Sequence, residues 1–109
     1  MQAALDGLVT ALCADFARRE ELLRHGDLSR RVECELRYLN AKIIDATLEI
    51  CDDSELDGFI TEIGSSVGYA KSSITHISEK TYKKRKREIK DNIARRLYLT
   101  QLIFYTATV

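Results

Sequence analysis

Nothing in this chain forces a helix to stop: across 109 residues there is no proline, and glycine occurs five times. Proline is the strongest helix breaker, costing about 3 kcal/mol in a helix interior, and glycine costs about 1. With both scarce and Ala, Leu, Glu, Lys and Arg abundant, helix is the local preference almost everywhere. A hydrophobic share of 45% beside 31% charged residues is that of a folded globular chain, with length for one sizeable core and not two. The expectation is an all-α single domain spanning 1–109, a compact bundle of four to five helices. It divides into a helical-hairpin body over 1–53, a helix-turn-helix-like unit over 54–97 and an apolar tail over 98–109.

Apolar spacing locates the helices. Leu5, Leu8, Val9, Leu12 and Phe16 keep the i, i+3, i+4, i+7 rhythm of a first helix over 3–24, with Leu22 and Leu23 near its end and Gly26 just past it. A second helix is predicted over 29–51, capped by Asp27 or Ser29. Its apolar row of Val32, Leu36, Leu39, Ile43, Ile44, Thr47 and Ile50 makes it the central core helix. A third, over 55–66, starts at Ser54 as cap and shows Leu56, Phe59, Ile60 and Ile63, with Gly64-Ser65-Ser66 ending it. Val67, Ala70 and Ile74 permit a short helix over 69–75, weakened by three hydroxylated residues.

Several chemistries find no support. The three cysteines, at 13, 34 and 51, are odd in number and form no C-x-x-C pair, which argues against a disulfide framework or a zinc site. Each falls in an apolar helical pattern and reads as a free, buried thiol, which implies a reducing, cytoplasmic setting. His25 and His76 have no companion ligands at metal spacing. No nucleophile–base or paired-carboxylate constellation appears, so no catalytic residue is assigned, and Glu33, Glu35, Asp45 and Glu49 read as a solvated acidic face. Gly64 to Gly68 lacks the Gly-Lys-Ser/Thr of a phosphate loop, so no nucleotide, cofactor or small-molecule substrate is expected. Apolar runs are shorter than the roughly 20 residues that cross a bilayer, and no basic flank leads into an apolar run as in a secretory signal.

Charge carries the one positive signal. Residues 1–57 hold thirteen acids and seven bases, a net of −6, whereas 58–109 hold four acids and ten bases, a net of +6. The excess lies in 77–97, ISEKTYKKRKREIKDNIARRL, an uninterrupted helix with Ser78 as cap and Glu79 in the first turn, where the helix dipole favours an acid. At 100° per residue, Tyr82, Ile89, Ile93 and Leu97 share a stripe roughly 80° wide, while Lys80, Lys83, Lys84, Arg87 and Lys90 gather within roughly 120° elsewhere. One face suits a core and the other an anion. A short helix, a tight turn and a capped basic helix form the helix-turn-helix pattern, in which the second helix enters the major groove.

On that reading double-stranded DNA is the partner and Ser78, Lys80, Thr81, Lys83, Lys84, Arg87 and Lys90 contact it. Arg87 is the candidate for bidentate guanine recognition, the lysines neutralise phosphates, and Lys90 lies further along the backbone. Tyr82 belongs to the core. Arg85 flanks the apolar stripe and Lys86 falls inside it, so each either snorkels outward or pairs with the acidic half. The apolar tail, with Leu99, Leu102, Ile103, Phe104 and Tyr105, is expected to dock on the core or on a second subunit, and a homodimer would double the DNA contact. The alternative is a non-enzymatic protein-interaction module, an oligomerising adaptor or inhibitor whose basic helix binds an acidic partner.

The stretch I-S-E-K-T-Y at 77–82, the following K-K-R-K-R-E-I and the Ile-Ala pair at 93–94 resemble the recognition half of phage late-transcription regulators of the RinA and ArpU type. The segment is also similar to sigma-factor region-4-like domains. The resemblance covers about residues 67–97, with His76 where the pattern usually has glycine. It implies a helix-turn-helix transcriptional regulator of phage or prophage origin, or for the alternative reading a phage-encoded inhibitor.

Overall fold

The computed structural model describes residues 3–98, and apart from Tyr98 the apolar tail lies outside the described residues. The fold is all-α: α1 Ala3–Ala14, α2 Phe16–His25, α3 Arg30–Leu48, α4 Asp53–Ser65 and α5 Glu79–Arg96, with one turn of 3-10 helix at Tyr69–Lys71. Principal extents of 43 × 40 × 21 Å make a slab two helices thick, since one helix with its side chains is about 10 Å across. The core lies where α1, the second half of α3, α4 and α5 meet, around Val9, Ile43, Phe59, Ile60, Ile63, Tyr82, Ile89 and Ile93.

The single helix expected over 3–24 is two, broken at Asp15. Arg19 turns inward, donates through Nη2 to the carbonyl of Leu12 and through Nε to Asn40 Oδ1 at 2.6 Å. Asn40 in turn donates to the carbonyl of Phe16 at 3.2 Å and to Glu20 Oε1 at 2.9 Å. Side chains thus take backbone acceptors from the helical ladder, a standard cause of a kink. The hairpin therefore lies between α2 and α3 rather than across the whole of 1–53.

Of the two caps proposed for α3, Ser29 is the one used, accepting from the Val32 amide at 3.3 Å. The helix ends at Leu48, short of the predicted 51, and only its second half is central: Asn40, Ile43, Ala46 and Thr47 are buried, whereas Val32 is exposed and Leu36 and Leu39 are half-covered. Cys34 is exposed too, in contrast to buried Cys13 and Cys51, because it sits on the uncovered half of α3. α4 begins two residues before its predicted start, with Asp52 rather than Ser54 as cap, accepting from the Ser54 amide at 3.0 Å.

α1 lies directly on α4. A Cβ on Gly64 would fall 2.6 Å from the amide nitrogen of Ala14, so glycine is what allows the two backbones to touch. α4 then closes at Ser66 in the left-handed conformation (φ 57°), with the Val67 amide bonded back to the carbonyl of Glu62 at 3.1 Å.

Candidate nucleic-acid interface

α5 forms as its sequence predicts. Ser78 caps it, accepting from the Thr81 amide at 3.2 Å, and Tyr82, Ile89 and Ile93 are buried to within 1% of full cover. Leu97, the fourth member of the stripe, packs partly buried against the core.

What precedes α5 departs from expectation. Residues 69–75 do not form a helix: one turn of 3-10 at Tyr69–Lys71 gives way to bends and extended chain up to Ser78. Serine hydroxyls compete with the backbone for hydrogen bonds, as when the Ser72 hydroxyl accepts from the Ile74 amide at 2.9 Å. α4, rather than a 69–75 helix, braces the start of α5. Phe59 stacks on Tyr82 with ring centroids 5.7 Å apart, and Tyr69 leans on the same ring at 5.6 Å.

Two buried carboxylates on α4 complete this brace. Glu62 accepts from the Tyr82 hydroxyl at 2.8 Å, the Ser73 hydroxyl at 2.7 Å and the Ser73 amide at 3.0 Å. Burial pushes its pKa up, but hydrogen bonds from Ser72, Ser73 and Tyr82 outweigh burial and hold it below the ordinary glutamate value. Glu55 receives Arg85 Nη1 at 3.2 and 3.3 Å and lies 2.8 Å from His76 Nε2. Lys86 spends its ammonium on the carbonyl of Val67 while lying over the Tyr82 ring. So Arg85 pairs with the acidic half, and Lys86 caps a loop carbonyl. Sequence reading missed both glutamates. The available signal was their position: Glu55 and Glu62 lie seven apart on the same helical face as Phe59, where an acid must be buried with partners.

The predicted contact residues separate into two groups. Lys80, Lys83, Lys84 and Arg87 are exposed, and their mean direction lies roughly 150° around the helix from the Tyr82–Ile89–Ile93 stripe. Lys83 pairs with Glu79 at 3.1 Å, and Lys84 stands 4.0 Å from Glu88. Among the described residues no carboxylate comes within bonding distance of Lys80 or Arg87. Lys90 does not join them: it lies on the flank toward α1, half-buried, with Nζ 2.9 Å from Asp6 Oδ1. Ser78 and Thr81 sit at the helix start, the Ser78 hydroxyl donating to Thr81 Oγ1 at 3.0 Å, so both are occupied with capping. Further along, Asn92 is buried and donates to Glu49 at 2.9 Å and to the carbonyl of Ala46 at 3.3 Å, tying the end of α5 to α3.

Among the described residues, no three His, Cys, Asp or Glu side chains gather as metal ligands would, and no helix is long and apolar enough to cross a membrane. The class that fold and site define is an all-α domain, with five α-helices among the described residues, presenting a basic helical face pinned from behind by buried glutamates. No family model, no curated protein and no solved structure matches this chain.

Proposed function

We propose that this protein binds double-stranded DNA through α5, with Lys80, Lys83, Lys84 and Arg87 facing the major groove and its flanking phosphates. The observation that carries the reading is the outward stripe of these four cations, on a helix whose opposite side is locked into the core. A groove-reading helix needs this division, because base and phosphate contacts are useful only from a rigid support. Arg87 supplies the planar fork suited to guanine, and the three lysines neutralise phosphates. Ser78 and Thr81, held in the cap, sit at the end of the helix that approaches the backbone first. Together with the likeness of 77–97 to phage late-transcription regulators, this makes transcription control in a phage or prophage the reading of the whole chain. α5 is the reading element, and α4 with the 66–78 segment takes the part of the supporting helix.

Four neutralised phosphates give a slope of about −3.6 in log K against log salt, so affinity should fall about 100-fold between 50 and 200 mM salt. Fluorescence anisotropy with a short mixed-sequence duplex measures this. Lys83→Glu/Arg87→Glu, at exposed positions, should leave the helical content intact and abolish binding. Absence of binding at low salt by the folded wild-type protein would retire the DNA reading. The basic face would then be assigned to an acidic protein partner, in keeping with an adaptor or inhibitor.

A further inference from the structure

The outward face of α5 carries one acid among its cations. At 100° per residue, Asp91 lies roughly 180° from the buried Tyr82–Ile89–Ile93 stripe, between Arg87 at roughly 140° and Lys84 at roughly 200°. It is exposed, so it points where the four cations point. Along the axis it stands one turn beyond Arg87, about 6 Å. Glu88, the other acid on this side, is roughly 60° further round and stands 4.0 Å from Lys84.

Nothing in the helix itself asks for an acid at this position. Aspartate is among the poorer helix formers, and the dipole favours acids in the first turn, whereas Asp91 is in the fourth. Its neighbours four residues either way are both arginines, yet among the described residues neither pairs with it. Arg87 precedes it, the weaker order for a helical ion pair. Arg95 follows it, the better order, but donates through Nη2 to Asn92 Oδ1 instead. Asp91 is thus a free carboxylate in the middle of a basic face.

Against DNA such a carboxylate meets a polyanion, which costs affinity unless it also meets donors. The base-edge donors of the major groove are the amino groups N4 of cytosine and N6 of adenine, and the usual partner of an acidic side chain is cytosine. The 6 Å between Arg87 and Asp91 spans roughly two base-pair steps of about 3.4 Å. Resting on the DNA reading above, we propose that Asp91 is a specificity-determining residue of that interface. It accepts from the N4 amino group of a cytosine about two base pairs from the guanine met by Arg87. The lysines supply affinity without regard to sequence, and the Arg87–Asp91 couple supplies the choice. Repulsion from Asp91 weakens binding to every sequence, and only a site presenting the amino group recovers the loss.

The test starts from the duplex that the wild-type full chain selects from a randomised pool. Fluorescence anisotropy then compares it with a duplex altered at the cytosine and with a mixed-sequence duplex. The wild type should prefer the selected duplex over the altered one about tenfold. Asp91→Ala should bind the mixed duplex roughly three- to fivefold tighter and lose that preference, with unchanged helical content. Asp91→Asn should move the choice at that base pair toward adenine, and Arg87→Ala should relax a different pair, a guanine about two steps away. Unchanged affinity of Asp91→Ala for the mixed duplex would show that the carboxylate does not face DNA and would overturn the proposal. Tighter binding with the preference intact would overturn it too, as would a selected pool with no preferred cytosine. A wild type that binds no duplex at low salt retires the DNA reading itself, before any variant is compared.

Discussion

Replacing Glu62 with glutamine tests how the candidate interface is held. Glu62 is 6% exposed and accepts three hydrogen bonds, from the Tyr82 hydroxyl, the Ser73 hydroxyl and the Ser73 amide, at 2.7–3.0 Å. Glutamine keeps the shape but removes the charge: its oxygen still accepts both Ser73 bonds, while its NH2 donates to the Tyr82 hydroxyl, which then turns its proton to the Val67 carbonyl 3.3 Å away. A hydrogen bond to a charged group contributes about 1.5–3 kcal/mol against about 0.5–1.5 for a neutral one, and the three bonds share one group and do not add, so a loss of about 1–2 kcal/mol is expected. For a domain of this size that lowers Tm by roughly 4–16 °C. Urea denaturation followed by circular dichroism reads the change directly. The pH dependence follows from the depressed carboxyl: its stabilisation is present above the ordinary glutamate value, about 4.3, and is lost as pH falls through the lower folded value. Wild type and Glu62→Gln should therefore differ fully at neutral pH and converge under acid. Tyr82→Phe should cost about 1 kcal/mol alone and less in the Glu62→Gln background, because the two side chains share a bond. A difference under about 0.5 kcal/mol at neutral pH, or one that does not narrow on acidification, would refute this account of the brace.

Gly64→Ala sets helix propensity, a gain of about 1 kcal/mol, against a Cβ placed 2.6 Å from backbone that cannot swing aside. Overpacking should win, with a net loss of about 1–2 kcal/mol in thermal unfolding. Asn40→Ala takes the Arg19 guanidinium's side-chain partner from a buried site and should cost about 2–3 kcal/mol. In that variant, hydrogen exchange should quicken first over α2 and the upper half of α3. Tyr82 is pushed up to about 12 by burial, with its bond to the Glu62 carboxylate next in weight. Its contribution to stability should be complete below the ordinary tyrosine value near 10 and vanish as pH rises through about 12, which Tyr82→Phe should abolish.

The all-α class was legible because its cause is local. Without proline to break it, apolar spacing near 3.6 leaves a chain one regular option, and capping signals such as Ser29 and Ser78 fall where the helices begin. The α5 stripe of Tyr82, Ile89 and Ile93 and its outward cations were legible for the same reason, since a single helix sets the directions of its own side chains. Contacts between distant parts of the chain were not. Periodicity ran straight through Asp15, and only the arrival of Asn40 beside Arg19 broke the helix there. It continued through Val32 and Leu39, while the tertiary structure ended the core at Ile43. Lys90 shared the basic sector by angle, yet α1 brought Asp6 against it. The helix expected over 69–75 gave way to a single 3-10 turn, as Ser73 bonded to Glu62, a residue on another element, and the Ser72 hydroxyl took the Ile74 amide. What the sequence determined by itself was the helical class and, for α3, α4 and α5, the helix and the two sides of it. Which sides meet, and which charges are left facing solvent, only the packing decided, because burial and pairing depend on neighbours that local spacing does not encode.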